Sequence, residues 1–180
     1  MEEKDQYELG SIKEYAVLCF VRIFGDEYFE SGEREKGSKS HIPTGFVFVI
    51  DPKFGDSAQH KLPGGHGQIT DASALAAAMR ELLGETGVAV SEKHTHYVGK
   101  WPGRRGDHWK MLFTCDISEK DVAWMNSNER ENEGEKPERL DLDGFYTLIR
   151  NYKFLQEHYQ KLVEFGLVFA SPGKLLVSAM

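Results

Sequence analysis

Glu14–Phe24 (EYAVLCFVRIF) and Gly45–Ile50 (GFVFVI) are apolar at nearly every position and rich in β-branched and aromatic residues. Such runs read as buried strands, because a strand with one wet face would alternate apolar and polar positions. A sheet built from them needs cover, and the sequence supplies helices to provide it. Ala72–Thr86 reads as the clearest helix. Asp71 or Thr70 can cap its first turn, alanine fills its first half, and Gly87 stands where a left-handed C-terminal residue belongs. A second amphipathic helix is predicted over about Arg150–Phe165, with Tyr152, Leu155, Tyr159 and Leu162 on one stripe and Gly166 as its stop. Strands interleaved with such helices predict an α/β fold, a mixed β-sheet with helices packed on its faces.

The intervening segments are polar. Residues 25–44 suit a hairpin excursion or a mobile loop, Asp51-Pro52 marks a turn, and Lys61–Gly67 runs into a glycine-rich bend. His94–Trp101 and His108–Asp116 read as a strand pair around the turn Pro102–Gly106. Ser118 with Asp121 caps a short helix to about Met125, and residues 126–143 form an acidic connection. A chain of 180 residues holds one sizeable core and would be cramped as two domains, so a single domain over 1–180 is expected, with 1–12 a flexible segment.

A net charge of −7 argues against stable binding to nucleic acid or to an anionic membrane surface, since both need a positive field. The longest apolar runs, Ala16–Val21 and Phe46–Ile50, are too short to span a bilayer. The acidic start Met1-Glu2-Glu3-Lys4-Asp5 has neither secretory nor transit character, so a cytoplasmic setting is expected. Cys19 and Cys115 each lie inside an apolar run and read as core thiols. His60, His94, His96 and His108 lack the helical pairing of a zinc site. No Gly-x-Ser-x-Gly elbow and no P-loop lysine pattern occurs. Aromatic residues near the N-terminus permit a homodimer.

The predicted helix Ala72–Thr86 carries the chemistry. Wound at about 100° per residue, it places Leu75, Met79, Leu82, Leu83 and Thr86 on one stripe, expected to pack on the sheet. Glu81 and Glu85 fall on a different face, at the i,i+4 spacing that makes them neighbours. Two like charges so placed destabilise a bare helix unless a cation lies between them. Ala74 and Ala78 on that face are small enough for a loop to approach, and the Gly64-Gly65 bend is well placed to be that loop.

LPGG at 62–65 followed by RELLGETGV at 80–88 resembles the Nudix box: Gly, five residues, Glu, seven residues, then Arg-Glu-aliphatic-any-Glu-Glu-any-Gly-aliphatic. The resemblance implies a Nudix-like α/β/α sandwich over most of the chain. It also implies a hydrolase that uses Mg²⁺ or Mn²⁺ to cut the diphosphate linkage of a nucleoside diphosphate joined to another moiety. Carried across, Arg80 orients the acidic cluster, Glu81 is a metal ligand or a water-activating base, and Glu85 is a metal ligand. Gly65 shapes the loop and Gly87 ends the helix. The family often adds an acid from a loop after the box. Here Glu129, Glu131, Glu133 and Glu135 crowd the acidic connection, and Glu133, in a catalytic role, or Glu135, as a ligand, can reach the metal. The alternative for each is solvated surface.

Two departures stand out. Gly84 occupies the position of the first glutamate of the family's Glu-Glu pair, and the spacing from Gly65 to Arg80 is one residue longer. The upstream acid has therefore slid to Asp71 or been lost. A glycine inside a helix costs about 1 kcal/mol against alanine, so Gly84 is not there for helix stability, and weakened or rearranged metal binding is expected. The competing reading is a Nudix-fold module that holds a nucleotide without cutting it. Retention of Arg80, Glu81 and Glu85 favours catalysis. For the substrate, His66 can touch a phosphate, Arg104 and Arg105 can offer cations, and Trp101 or Trp109 can stack on an adenine. The family's ADP-ribose-cleaving members carry a proline about as far beyond the box as Pro102, which points to an ADP-ribose-like substrate.

Overall fold

The computed structural model describes residues 14–30, 42–125 and 135–170. The expected N-terminal segment and three of the acidic-connection glutamates, Glu129, Glu131 and Glu133, lie outside them. In chain order the elements are β1 (Glu14–Phe24), α1 (Asp26–Glu30), β2 (Gly45–Ile50), β3 (Gly64–His66), α2 (Ala74–Thr86), β4 (Thr95–Pro102), β5 (His108–Ser118), α3 (Glu119–Met125), β6 (Lys136–Leu140), α4 (Leu142–Arg150) and α5 (Gln156–Glu164).

The strands form one mixed sheet in the order β4-β5-β1-β2-β6. β1 runs parallel to β5 along its length, and its other pairings are antiparallel. Its far edge is shared: Ala16–Leu18 pair with β3, while Val21–Ile23 pair with β2. That division lets the short glycine strand β3 lie in the sheet beside β2. Side chains of β1 alternate between two cores. Val17, Cys19, Val21 and Ile23 enter a layer with α2 and α3, and Leu18 and Phe20 enter one with α4 and α5. The α/β/α sandwich is thus present. Cys19 and Cys115 are buried free thiols in the first layer. Among the described residues no helix is long and apolar enough to cross a membrane.

Three details differ from the sequence reading. Ser73, not Asp71 or Thr70, caps α2, its hydroxyl accepting from the Ala76 amide at 3.0 Å. The face that α2 buries is also rotated: Ala74, Ala77, Ala78, Leu82, Glu85 and Thr86 point inward, and Leu83 is 51% exposed. Alanines let the helix settle close to β1, where the Cys19 thiol reaches the Ala78 carbonyl at 3.5 Å, and that approach turns Glu85 into the interior. Finally, the helix expected over Arg150–Phe165 starts only at Gln156, as α5, and α4 over Leu142–Arg150 is a separate helix that the sequence reading did not assign. His60 donates its amide to the Lys153 carbonyl at 2.7 Å and accepts from the Leu155 amide at 2.8 Å. Backbone groups used in that bridge are not available to a continuous helix, and Tyr152 turns the chain at φ 57°. The acidic connection likewise contains a strand, β6, which pairs antiparallel with β2.

Candidate active site

β3 brings the glycine bend against the buried face of α2. Gly64 pairs with Leu18 and Gly65 with Val17. At Gly64 φ is 152°, and a Cβ there would lie 2.0 Å from the Val17 carbonyl oxygen. At Gly65 a Cβ would lie 2.6 Å from Oε2 of Glu81. Gly64 therefore admits only glycine, because of its φ and the neighbouring strand, whereas a side chain at Gly65 would have to push the Glu81 carboxylate aside.

Glu85 is the most perturbed acid of the site. It is 9% exposed, and its Oε2 accepts from the Gly64 amide at 2.7 Å. Burial first, then the hydrogen bond and charge of Glu135, push its pKa up to about 9, against the opposing pull of the Gly64 amide and Lys61. At neutral pH Glu85 is therefore held in its protonated form. Oε1 of Glu135 is paired with the Lys61 ammonium at 2.5 Å, while its Oε2 is buried with no amide, hydroxyl or cationic donor.

Arg80 organises the other end. Its Nε donates to Asp71 Oδ1 at 2.9 Å and one terminal nitrogen to Asp71 Oδ2 at 2.8 Å. The same guanidinium reaches Glu81 Oε1 at 2.6 Å and the His66 carbonyl at 3.1 Å. The bond to Arg80 holds Asp71 below the usual carboxylate range. Asp71 is thus the partner of the guanidinium, set apart from the Glu85–Glu135 pair.

Among the described residues no three acidic, His or Cys side chains stand close enough to form a ready metal cage. The donor chemistry nonetheless fits a hard divalent cation. Glu85 is a buried carboxyl whose pKa is raised by burial and by Glu135, Oε2 of Glu135 is buried without a donor, and Glu81 lies one helical turn away.

The remaining expected residues are dispersed. His66 is exposed, its ring 6.0 Å from that of His108. Arg104 and Arg105 are exposed on the β4–β5 turn. Trp109 is half-buried, with the Lys100 ammonium 4.8 Å from its ring centre. Trp101 is 7% exposed, donates to Glu157 at 3.1 Å and packs in the second core with Phe165. Two residues escaped the sequence reading. Lys61 precedes core residue Leu62, so strand alternation turns it away from that core, a signal that was available. His158 stands three residues after Leu155 and four before Leu162, on the apolar stripe of the expected helix, a signal that was also available. It is 4% exposed, its Nδ1 accepts from the Leu62 amide at 3.1 Å, and burial lowers its pKa to about 4, so it stays neutral and anchors the residue preceding Pro63-Gly64-Gly65.

A search of curated proteins returned no significant sequence match. Among solved structures, a Nudix hydrolase from Nitrosomonas europaea superposes with a TM-score of 0.54 at 15% identity, covering 84% of this chain and 86% of that one. That likeness establishes the fold. The sequence profile of the Nudix domain matches residues 36–159, more than half of the chain, and spans both the glycine bend and α2. The chain belongs to the Nudix family.

Proposed function

We propose that the chain hydrolyses the diphosphate linkage of a nucleoside diphosphate joined to another moiety, with an ADP-ribose-like substrate favoured, in the cytoplasm. The observation that carries this reading is the buried Glu85–Glu135 pair against the Gly64 amide. A protein does not keep two carboxylates in a dry site for stability, because each costs desolvation and they repel. A divalent cation offsets both costs. Glu85, Glu135 and Glu81 would hold Mg²⁺ or Mn²⁺. When bound, such a cation supplies charge neutralisation for the substrate phosphates and acidifies water.

The protein's own groups do the rest. Arg80 fixes Glu81 in one orientation, placing a carboxylate as the base that takes a proton from attacking water. Glu133 is a second candidate for that role. Gly65 lets the bend approach Glu81 without displacing it. His66, Arg104 and Arg105 are proposed to meet the phosphates.

A panel of nucleoside diphosphate derivatives, assayed with Mg²⁺ and with Mn²⁺, tests the proposal by the products released. Nucleoside monophosphate plus a phosphorylated remainder is the expected result. Gly84 is the feature that favours the other reading, a module that binds without cutting. Tight binding of a nucleotide with no turnover of any panel member would establish that reading instead.

A further inference from the structure

Between β2 and β3 the chain makes a tight 3₁₀ turn, Pro52–Ser57, that the acid site does not use. Asp51 caps it, accepting from the Lys53 amide at 3.0 Å and holding the Lys53 ammonium at 2.7 Å. That ammonium lies 5.1 Å from the centre of the Phe54 ring. Phe54 is 57% exposed. The ring forms one wall of a cavity of about 280 Å³, whose other walls include Gln59, Lys61, Glu135 and Leu155. Glu135 and Lys61 are also part of the acid site, so the cavity opens directly onto it. Lys61 is one-third exposed on the cavity wall, its ammonium paired with Glu135.

Resting on the hydrolase reading above, we propose that this cavity is the subsite for the nucleobase end of the substrate, with Phe54 as its stacking surface and Lys61 as a cation for the adjoining phosphate. An exposed aromatic ring on a cavity wall suits a flat heterocycle, because stacking needs a π-face and little else. An ammonium at the acid-site wall suits a phosphate as a compact point charge. Of the two tryptophans suggested for the base, Trp101 is sealed in the second core and Trp109 is half-buried with Lys100 against its ring, whereas Phe54 is exposed.

The test uses the full chain and three variants, Phe54→Ala, Phe54→Trp and Lys61→Met. Calorimetry measures binding of AMP and of ribose 5-phosphate, and steady-state assays measure KM and kcat with ADP-ribose. Phe54→Ala should weaken AMP and raise KM about tenfold, from loss of one base stack, with kcat within about twofold. Ribose 5-phosphate should bind it as it binds the parent. Phe54→Trp should retain parental values, and Lys61→Met should weaken both ligands. Phe54→Ala with parental KM and AMP affinity, in a protein that turns over ADP-ribose, would overturn the subsite and leave the hydrolase reading intact. A parent that neither binds AMP nor cleaves any nucleoside diphosphate derivative overturns both.

Discussion

The amide of Gly64 donates to Oε2 of Glu85 at 2.7 Å and so ties the glycine bend to the buried face of α2. On its own this bond would favour an ionised carboxylate. Burial and the nearby Glu135 outweigh it, and the pair keeps a proton. The bend thus positions an acid that is costly to ionise until a cation joins it.

Glu85→Gln separates stability from activity. A folded-state pKa near 9 against 4.5 unfolded means that the folded protein binds more protons between those values, so stability falls as pH rises through that window. The neutral glutamine removes this penalty, on the order of a few kcal/mol near pH 8. In EDTA at pH 8 the variant should melt several degrees above the parent, and the gap should close toward pH 4.5. Turnover should drop by about a hundredfold or more. Thermal melts that superimpose at pH 8 would show that Glu85 is not held protonated.

Glu135 should share the loss of function, while Glu129 should not. Glu135→Gln removes the partner of both Glu85 and Lys61 and should lower turnover by at least about tenfold. Cation binding must also displace the proton of Glu85, because ligating carboxylates are ionised. Calorimetry with Mn²⁺ at pH 7.5, in buffers of different ionisation enthalpy, should read out about one proton released per cation bound in the parent and none in Glu85→Gln. Buffer-independent heats in the parent would remove Glu85 from the ligand set.

His158 makes the core acid-sensitive. Its pKa of about 4 lies below the 6.5 of an exposed histidine, so the unfolded chain binds more protons between those values. The stability involved is fully present above pH 6.5 and is lost as pH falls toward 4, on the order of 3 kcal/mol in all. His158→Asn keeps an acceptor for the Leu62 amide without the titration. Urea midpoints of the variant should change less than the parent's between pH 6.5 and 4. Parallel pH profiles would place the acid sensitivity elsewhere.

Gly84→Glu should rebuild the charge cluster that the family carries. The substitution gains roughly 0.5–1 kcal/mol of helix propensity and gives back part of it through repulsion from Glu81 and Glu85. Metal affinity should rise with the added carboxylate. The cation concentration for half-maximal activity should fall, and Mn²⁺ should raise the variant's Tm more than the parent's. Equal metal affinity in calorimetry would mean that position 84 does not reach the cation.

The amino-acid sequence by itself determined β1, β2 and the body of α2. Long β-branched runs and an alanine-rich stretch closed by Gly87 have strong local preferences that tertiary contacts only reinforce. The resemblance of LPGG and RELLGETGV likewise located Arg80, Glu81 and Glu85, because the motif is contiguous. What the tertiary structure decided is everything that depends on a distant partner. KPERL at 136–140 has little strand character, with Pro137 inside it. It becomes β6 because β2 offers an edge, where a missing amide is tolerated. The bridge from His60 holds Lys153–Leu155 out of the helix expected there, and close approach of the alanine face turns Leu83 outward and Glu85 inward. The raised pKa of Glu85 beside Glu135, and the hold of Lys61 on Glu135, depend on segments that are remote along the chain. Periodicity reports which faces of an element are apolar, but burial and proximity set the charge state of a carboxylate, and those exist only once the layers have packed.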